Sequence, residues 1–330
     1  MTDRLRTVVI AVLTATAAGS LLMILAGASP LDVWARMAAA QGDRYGLGQL
    51  LFRATPLILT GLAVAVPLRA GLFNIGGEGQ LTAAALACAV VAAAVPTTWP
   101  ALLVVPLACA AAMAAGGAVG AATGALRVYR GAHEVIVAIL LNAIVAGVAL
   151  WLGNRGLFVG DATRTATIVP AAQLPSLGLA GSSASVSAIG AVAAAAIMAW
   201  VLARTTVGFG WRMTGQGKDA ARAAGLAVDR AQVTAMATAG ALAGLAGAHF
   251  VLGHKHAFEE GLGRGTGFLG VAVALLAQGR ALAIVGSALL FAALAQGGLA
   301  VATDVPKELV DVLQAAIVLV AAASLGRRPR

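Results

Sequence analysis

Apolar residues run along this chain in long blocks, separated by short polar or glycine-rich intervals, and strand-like alternation is absent. Blocks of roughly 18–22 residues are long enough to cross a bilayer as helices, whereas barrel strands alternate residue by residue. The pattern predicts ten spans, at about 7–27, 50–69, 80–95, 101–125, 134–152, 185–203, 231–252, 267–278, 281–301 and 308–325. The eighth is short and glycine-flanked, which suits a broken or re-entrant segment as well as a full span. The first follows Arg4 and Arg6, and Ala26-Gly27-Ala28 resembles a cleavage site, but its length is that of an uncleaved span. Two connections are long: 153–184, with Pro170 and Pro175, reads as a loop or short surface helix, and 204–230 is basic. With no linker or soluble portion visible, residues 1–330 are expected to form one all-α membrane domain.

Composition agrees: 60% of the 330 residues are hydrophobic and 11% charged, and mean hydropathy is +0.93, which excludes the soluble class. A net charge of +9 would suggest nucleic acid in a soluble protein, but here its placement decides. If the N-terminus is inside and loops alternate, the inner face collects Arg4, Arg6, Arg69, Arg127, Arg130, the five basic residues of 204–230, Arg280, Arg327, Arg328 and Arg330. That is fourteen of the twenty-two Lys and Arg, while the outer face balances eight bases against eight acids. The positive-inside rule then puts both termini in the cytoplasm, with lipid rather than nucleic acid as the surrounding partner. Trp99, Trp151, Trp200 and Trp211 near span ends read as interfacial anchors. Cys88 and Cys109 fall in apolar runs and read as small buried thiols.

Small residues at four-residue spacing, Gly116, Gly120 and Gly124 in the fourth span and Gly240 and Gly244 in the seventh, mark close helix packing. Gly61-Leu-Ala-Val-Ala-Val66 and Gly270-Val-Ala-Val-Ala-Leu275 are similar, and each precedes an arginine, Arg69 or Arg280, a hint of two pseudo-repeated halves.

The most polar interval between apolar runs is Arg69-Ala-Gly-Leu-Phe-Asn-Ile-Gly-Gly-Glu-Gly-Gln80. An unpaired intramembrane glutamate costs roughly 2.5–3.5 kcal/mol, so Glu78 must face protein or water. Gly71, Gly76, Gly77 and Gly79 disfavour a continuous helix through residues 71–80. One reading is an ordinary cytoplasmic turn with Arg69 as anchor. The other is a non-helical break beside a translocation path, with Asn74, Glu78 and Gln80 satisfying exposed backbone. On the second reading Glu78 is mainly structural, accepting from amides freed by Gly76, Gly77 and Gly79 or pairing with a neighbouring polar group.

The run from Pro56 to Gln80, with its FNIG-x-EGQ core, resembles the signature of ABC importer permeases for simple sugars, nucleosides and branched-chain amino acids, nearest the nucleoside branch. His133-Glu-Val-Ile-Val-Ala-Ile-Leu-Leu-Asn142 is similar to a second family segment, with Glu134 and Asn142 matching and His133 standing where relatives carry Asn. Thr205, Gly208, Arg212, Gly215, Ala220, Ala221 and Gly225 match the spacing of the loop that docks on the ATPase. Gly267–Leu276 matches a fourth, with Gln278-Gly-Arg280 in place of a proline-containing turn. The resemblance implies a transmembrane permease working by alternating access in the cytoplasmic membrane. It implies a second permease chain, most simply in a heterodimer, a cytoplasmic ABC ATPase and an extracytoplasmic substrate-binding protein. Asn74, Gly76, Gly77, Glu78, Gln80, Glu134 and Asn142 would border the path.

Residue chemistry points the same way. The phosphate-binding G-x-x-x-x-G-K-[ST] pattern is absent, and Gly217-Lys218 is followed by Asp219, so no catalytic residue or cofactor is assigned to this chain and ATP with Mg belongs on a partner. Lys218–Ala224 suits a short helix ended by Gly225, small enough at Ala220 and Ala221 to enter a groove, with Arg212 and Arg222 available to acidic groups. The bland alternative is a basic loop that only sets topology. His254, Lys255 and His256 beside Glu259 and Glu260 read as a solvated loop rather than a metal site. A rival class is a secondary transporter using Glu78 for ion coupling, and a rival substrate within the preferred class is a pentose.

Overall fold

The computed structural model of the protein describes residues 2–25, 27–160, 162–303, 311–316 and 319. Its helices are α1 (Thr2–Leu25), α2 (Pro30–Ala39), α3 (Arg44–Arg69), α4 (Gly77–Ala94), α5 (Ala101–Arg130), α6 (Glu134–Leu152), α7 (Ser187–Arg204), α8 (Thr206–Gln216), α9 (Lys218–Ala223), α10 (Val228–Phe250), α11 (Thr266–Leu276) and α12 (Ala281–Ala300). Among the described residues the only strand-like pairings are three isolated bridges in the 153–184 connection and its neighbours. Among the described residues, seven helices are long and apolar enough to cross a membrane: α3, α4, α5, α6, α7, α10 and α12. The expected tenth span, 308–325, falls largely outside the described residues. The eighth is α11, 11 residues, or about 16 Å at 1.5 Å per residue. That is half of a bilayer core of about 30 Å, so α11 does not span.

Two elements and one tryptophan depart from the sequence reading. Helix α2 was unforeseen; it starts on Pro30, buries Val33 and Met37 and leaves Leu31 outward. Its spacing is amphipathic, but it is too short to register as a span. The 204–230 stretch is two helices rather than a loop with one. Thr205 caps α8 by accepting from the Gly208 amide at 3.1 Å. Gly208 permits the α7–α8 corner, since a Cβ there would strike the Val201 carbonyl. Trp211 is no interfacial anchor: it is buried, and its indole N–H donates to Thr234 Oγ1 at 3.1 Å, because α8 lies against α10.

The centre of the molecule is α3 and α10, the most enclosed spans, while α6 is the least enclosed. The two glycine stripes face each other. Gly116 lies against the Gly240 backbone, Gly120 against Met236, and Gly244 against Ala112, so α5 and α10 pack nearly backbone to backbone. The two similar segments also meet: a Cβ on Gly61 of α3 would lie 3.0 Å from Val273 of α11. His249 of α10, buried, shares a 2.7 Å hydrogen bond with Ser187 Oγ at the start of α7.

Candidate functional site

The site begins with a proline. Pro67 has no N–H, so the Ala63 carbonyl four residues earlier in α3 loses its helical donor. Asn74 Nδ2 supplies the missing hydrogen bond at 3.1 Å. For that to happen the chain reverses after Arg69, with Gly71 at φ +71 and the Leu72 amide on Pro67 O at 3.0 Å. Residues 70–76 therefore fold back along α3. Asn74 Oδ1 accepts from the Gly76 amide at 2.9 Å and from Gln80 Nε2 at 3.1 Å, while Asn74 Nδ2 also donates to Gln80 Oε1 at 3.0 Å. Both side chains are fully buried. Primary amides fit because each donates and accepts, which buried irregular backbone requires.

This return places the start of α4 deep in the protein. The N-termini of α4 and α11 abut: a Cβ on Gly267 would lie 2.6 Å from the Gly77 carbonyl carbon. Thr60 fixes their depth, its Oγ1 donating to Thr266 O at 3.2 Å. Arg69 lies nine residues beyond Thr60, so the junction sits about 13 Å from that end of the 26-residue α3, well inside the length that would cross a bilayer core. Glu78 closes it. Oε1 accepts from the Gly265 amide at 2.6 Å and Oε2 from Gly267 at 2.9 Å. Gly265, the residue before α11, has no side chain with which to cap the helix. Glu78 does so from another helix, where the positive end of the helix dipole favours a carboxylate. Glu78 accepts from backbone amides, but from other donors than expected: they are those of Gly265, just before α11, and Gly267 in its first turn, not those of Gly76, Gly77 or Gly79. The Gly79 amide donates instead to Asn142 Oδ1 at 2.8 Å, and Asn142 Nδ2 donates to Ile75 O at 3.1 Å. The non-helical segment is also shorter than 71–80, because α4 begins at Gly77. Glu134 is not part of this cluster. It opens α6 and sits 3.3 Å from Arg127 Nε at the α5–α6 corner, two turns before Asn142.

Beside Glu78 lies a cavity of about 290 Å³, lined by Thr82, Asn142, Phe158, Phe258, Phe268, Glu260 and Arg264 among others. The Phe158 and Phe258 rings are nearly parallel, 9° apart with centroids at 6.4 Å. Phobic walls with a few convergent polar groups are the usual make-up of a small-molecule site. Thr82 was legible, being one helical turn beyond Glu78 on the same face. The three phenylalanines and Arg264 were not, since loops 153–165 and 256–265 bring in Phe158, Phe258 and Arg264, and α11 brings in Phe268, all from distant sequence.

The junction is tied to the basic segment. Gly215, near the end of α8, packs on the Arg69 carbonyl, and a Cβ there would lie 3.1 Å from the Gly71 amide nitrogen. Gln232 of α10 donates to Ala70 O at 3.2 Å. Helix α9 ends as the sequence suggested: Gly225 has φ +80, its amide bonds Arg222 O at 3.0 Å, and the Leu226 amide bonds Ala221 O at 3.0 Å, a Schellman stop. Two details differ from expectation. Ala221 is buried against the protein, leaving Ala220, Ala223 and Ala224 on the outward side. Arg222 is paired within the chain, 3.3 Å from Asp229 and 3.8 Å from Asp219. Arg212 instead borders a separate cavity with Arg69 and Arg280.

A helical multi-pass protein in which irregular backbone and two helix N-termini meet at mid-depth beside a cavity has the construction of a membrane transporter. The chain belongs to the family described as "Branched-chain amino acid transport system / permease component", which matches residues 46–322. It is 37% identical to a guanosine ABC transporter permease protein of Bacillus subtilis over 97% of this chain and 93% of that one. It is 34% identical to a glucose ABC transporter permease protein of Haloferax volcanii, over 95% and 86%. Against a nucleoside ABC transporter permease protein of Lactococcus lactis subsp. cremoris the identity is 31%, over 91% and 85%.

Proposed function

We propose that this chain is a permease subunit of an ATP-driven importer for nucleosides or related ribosides. Family membership and two relatives named for nucleosides support the class and the substrate. The observation that carries the mechanism is the packing of Gly215 on the 69–71 turn, which connects the basic α8–α9 segment to the mid-membrane junction. The chain acts as one permease domain, residues 1–330, of ten spans in two related halves, with both termini in the cytoplasm and α8–α9 on that face. It pairs with a second permease chain in a heterodimer, receives substrate from an extracytoplasmic binding protein, and resides in the cytoplasmic membrane. ATP and Mg are bound and hydrolysed by a separate ATPase, and this chain carries no cofactor.

ATPase closure displaces Thr205–Gly225 as a unit, because Gly208 and Gly225 set rigid corners at either end. Gly215 passes that displacement to Arg69 and Gly71. The Asn74–Gln80 pair holds residues 70–76 to the start of α4, so α4 moves with the turn. Glu78 carries α11, while the Asn142 contacts of α6 with Ile75 and Gly79 form the seam that shifts. Substrate passes through the cavity beside Glu78, Thr82 and Asn142. Glu78 stays hydrogen-bonded throughout and does not exchange protons, in contrast to an ion-coupled carrier. A glucose-named relative supports a simple sugar as the second reading. Uptake of labelled guanosine on one side, and of the simple sugars ribose, xylose and glucose on the other, in a strain deleted for this chain separates the two. Loss of guanosine uptake alone is expected. Loss of sugar uptake alone assigns the sugar, and unchanged uptake of all four refutes both.

A further inference from the structure

The two similar segments of the sequence end at one place. Arg69 closes α3 and Arg280 precedes α12, and with Arg212 of α8 they border a cavity of about 500 Å³. Arg69 is held there by its Nη2 on the Gly279 carbonyl at 2.7 Å. Gly279 itself adopts φ +64, turning the chain so that Arg280 faces the same space. The rest of the wall is apolar: Ala199, Leu202 and Ala203 from the end of α7, and Ala281, Leu282 and Ala283 from the start of α12. Among the described residues no carboxylate lines it. Ala281 to Ala283 are the first turn of a 20-residue helix, so their amides have no intrahelical acceptor and add to the positive potential. Leu282, which lines the cavity, is 62% exposed, and two neighbours of the lining residues are exposed as well, Trp200 of α7 at 60% and Phe209 of α8 at 46%. Tryptophans near span ends, as Trp200 is near the end of α7, collect at the level of lipid headgroups.

We infer that this cavity binds an anionic glycerophospholipid, its phosphate among Arg69, Arg212 and Arg280 and its acyl chains along α7 and α12. An ammonium-bearing zwitterion would bring a positive group to the arginines, so phosphatidylglycerol-type lipids are favoured over phosphatidylcholine. An acidic protein surface would satisfy the charges but not the apolar walls of α7 and α12. Because α8 also contacts the 69–71 turn, the lipid would brace the α8 end of the coupling segment from outside. The inference stands apart from the substrate and the energy source.

The full chain, purified with its partner subunits, can be read by native mass spectrometry with phosphatidylglycerol or phosphatidylcholine added. Phosphatidylglycerol is expected to remain bound through delipidation. Arg280→Gln should lower its retention about 5-fold, and adding Arg212→Gln about 5-fold more. Ala203→Trp keeps every charge but fills the cavity, and should lower retention as well. Equal retention of the two lipids, or unchanged phosphatidylglycerol in both the double variant and Ala203→Trp, would overturn the inference. So would inorganic phosphate binding the wild type as tightly as the lipid does. Variants that keep the lipid but shed the ATPase would assign the arginines to the protein partner instead.

Discussion

Glu78 offers two carboxylate oxygens to two amides of another helix, and that geometry sets what its replacements do. Glu78→Gln keeps one acceptor and turns a donor towards the second amide, so one bond is lost and the other weakened. Partial uptake that still requires ATP is expected. An ion-coupling carboxylate would lose concentrative uptake while retaining downhill exchange. Asn142→Leu removes the partners of both the Gly79 amide and the Ile75 carbonyl. Each buried orphan costs about 1–3 kcal/mol, so the purified variant should melt several degrees lower, as a fluorescence-detected melting curve would register. At this scale the sequence was informative about residue type but not about partner. A carboxylate among glycines had to be satisfied, and Asn74, Gln80 and Asn142 were recognisable as polar groups. That Glu78 bonds residues nearly two hundred positions away was not legible, because α11 approaches it only through the tertiary fold. Arg222 misled for a similar reason, since its acid Asp229 lies across a turn.

Among elements, α8 and α9 differ in what they touch, and the difference can be measured. Gly215 contacts backbone of the 69–71 turn, so even Gly215→Ala forces that turn to move. It should keep the ATPase bound yet reduce transport per ATP hydrolysed. Ala220 faces outward on α9, so Ala220→Arg should instead lose ATPase on co-purification, while membrane levels of the chain stay normal. The reverse assignment of phenotypes would contradict the proposed division. Gly120→Leu should deplete the folded chain from the membrane, because Gly120 lies against the Met236 backbone. Seven of the expected spans, α3 to α7, α10 and α12, were legible because uninterrupted apolar length is a strong signal that needs no tertiary information. Helix α8 was not: glycine and polar residues in Thr206–Gln216 hide a helix whose order comes from Trp211 docking on Thr234 of α10. Helix α2 escaped because ten residues of amphipathic pattern resemble a surface loop in so apolar a chain.

At the scale of the molecule, the proposed orientation rests on charge placement. Reporter fusions in 204–230 and at Arg330 should both read as cytoplasmic, and an external reading from either would reverse the side on which the ATPase binds. The half-length of α11 and the return of 70–76 along α3 together put non-helical backbone at mid-depth, where it is tolerated only if buried or facing a cavity. The proposed account treats that junction as something moved by an ATPase through α8, not by an ion binding Glu78. Reconstitution tests this most directly: the chain is placed in proteoliposomes with its partner permease and ATPase, the binding protein and labelled guanosine outside, and ATP inside. The account predicts accumulation that requires ATP and continues when ionophores collapse the proton and sodium gradients. Accumulation that persists without ATP and stops with the ionophores would contradict it.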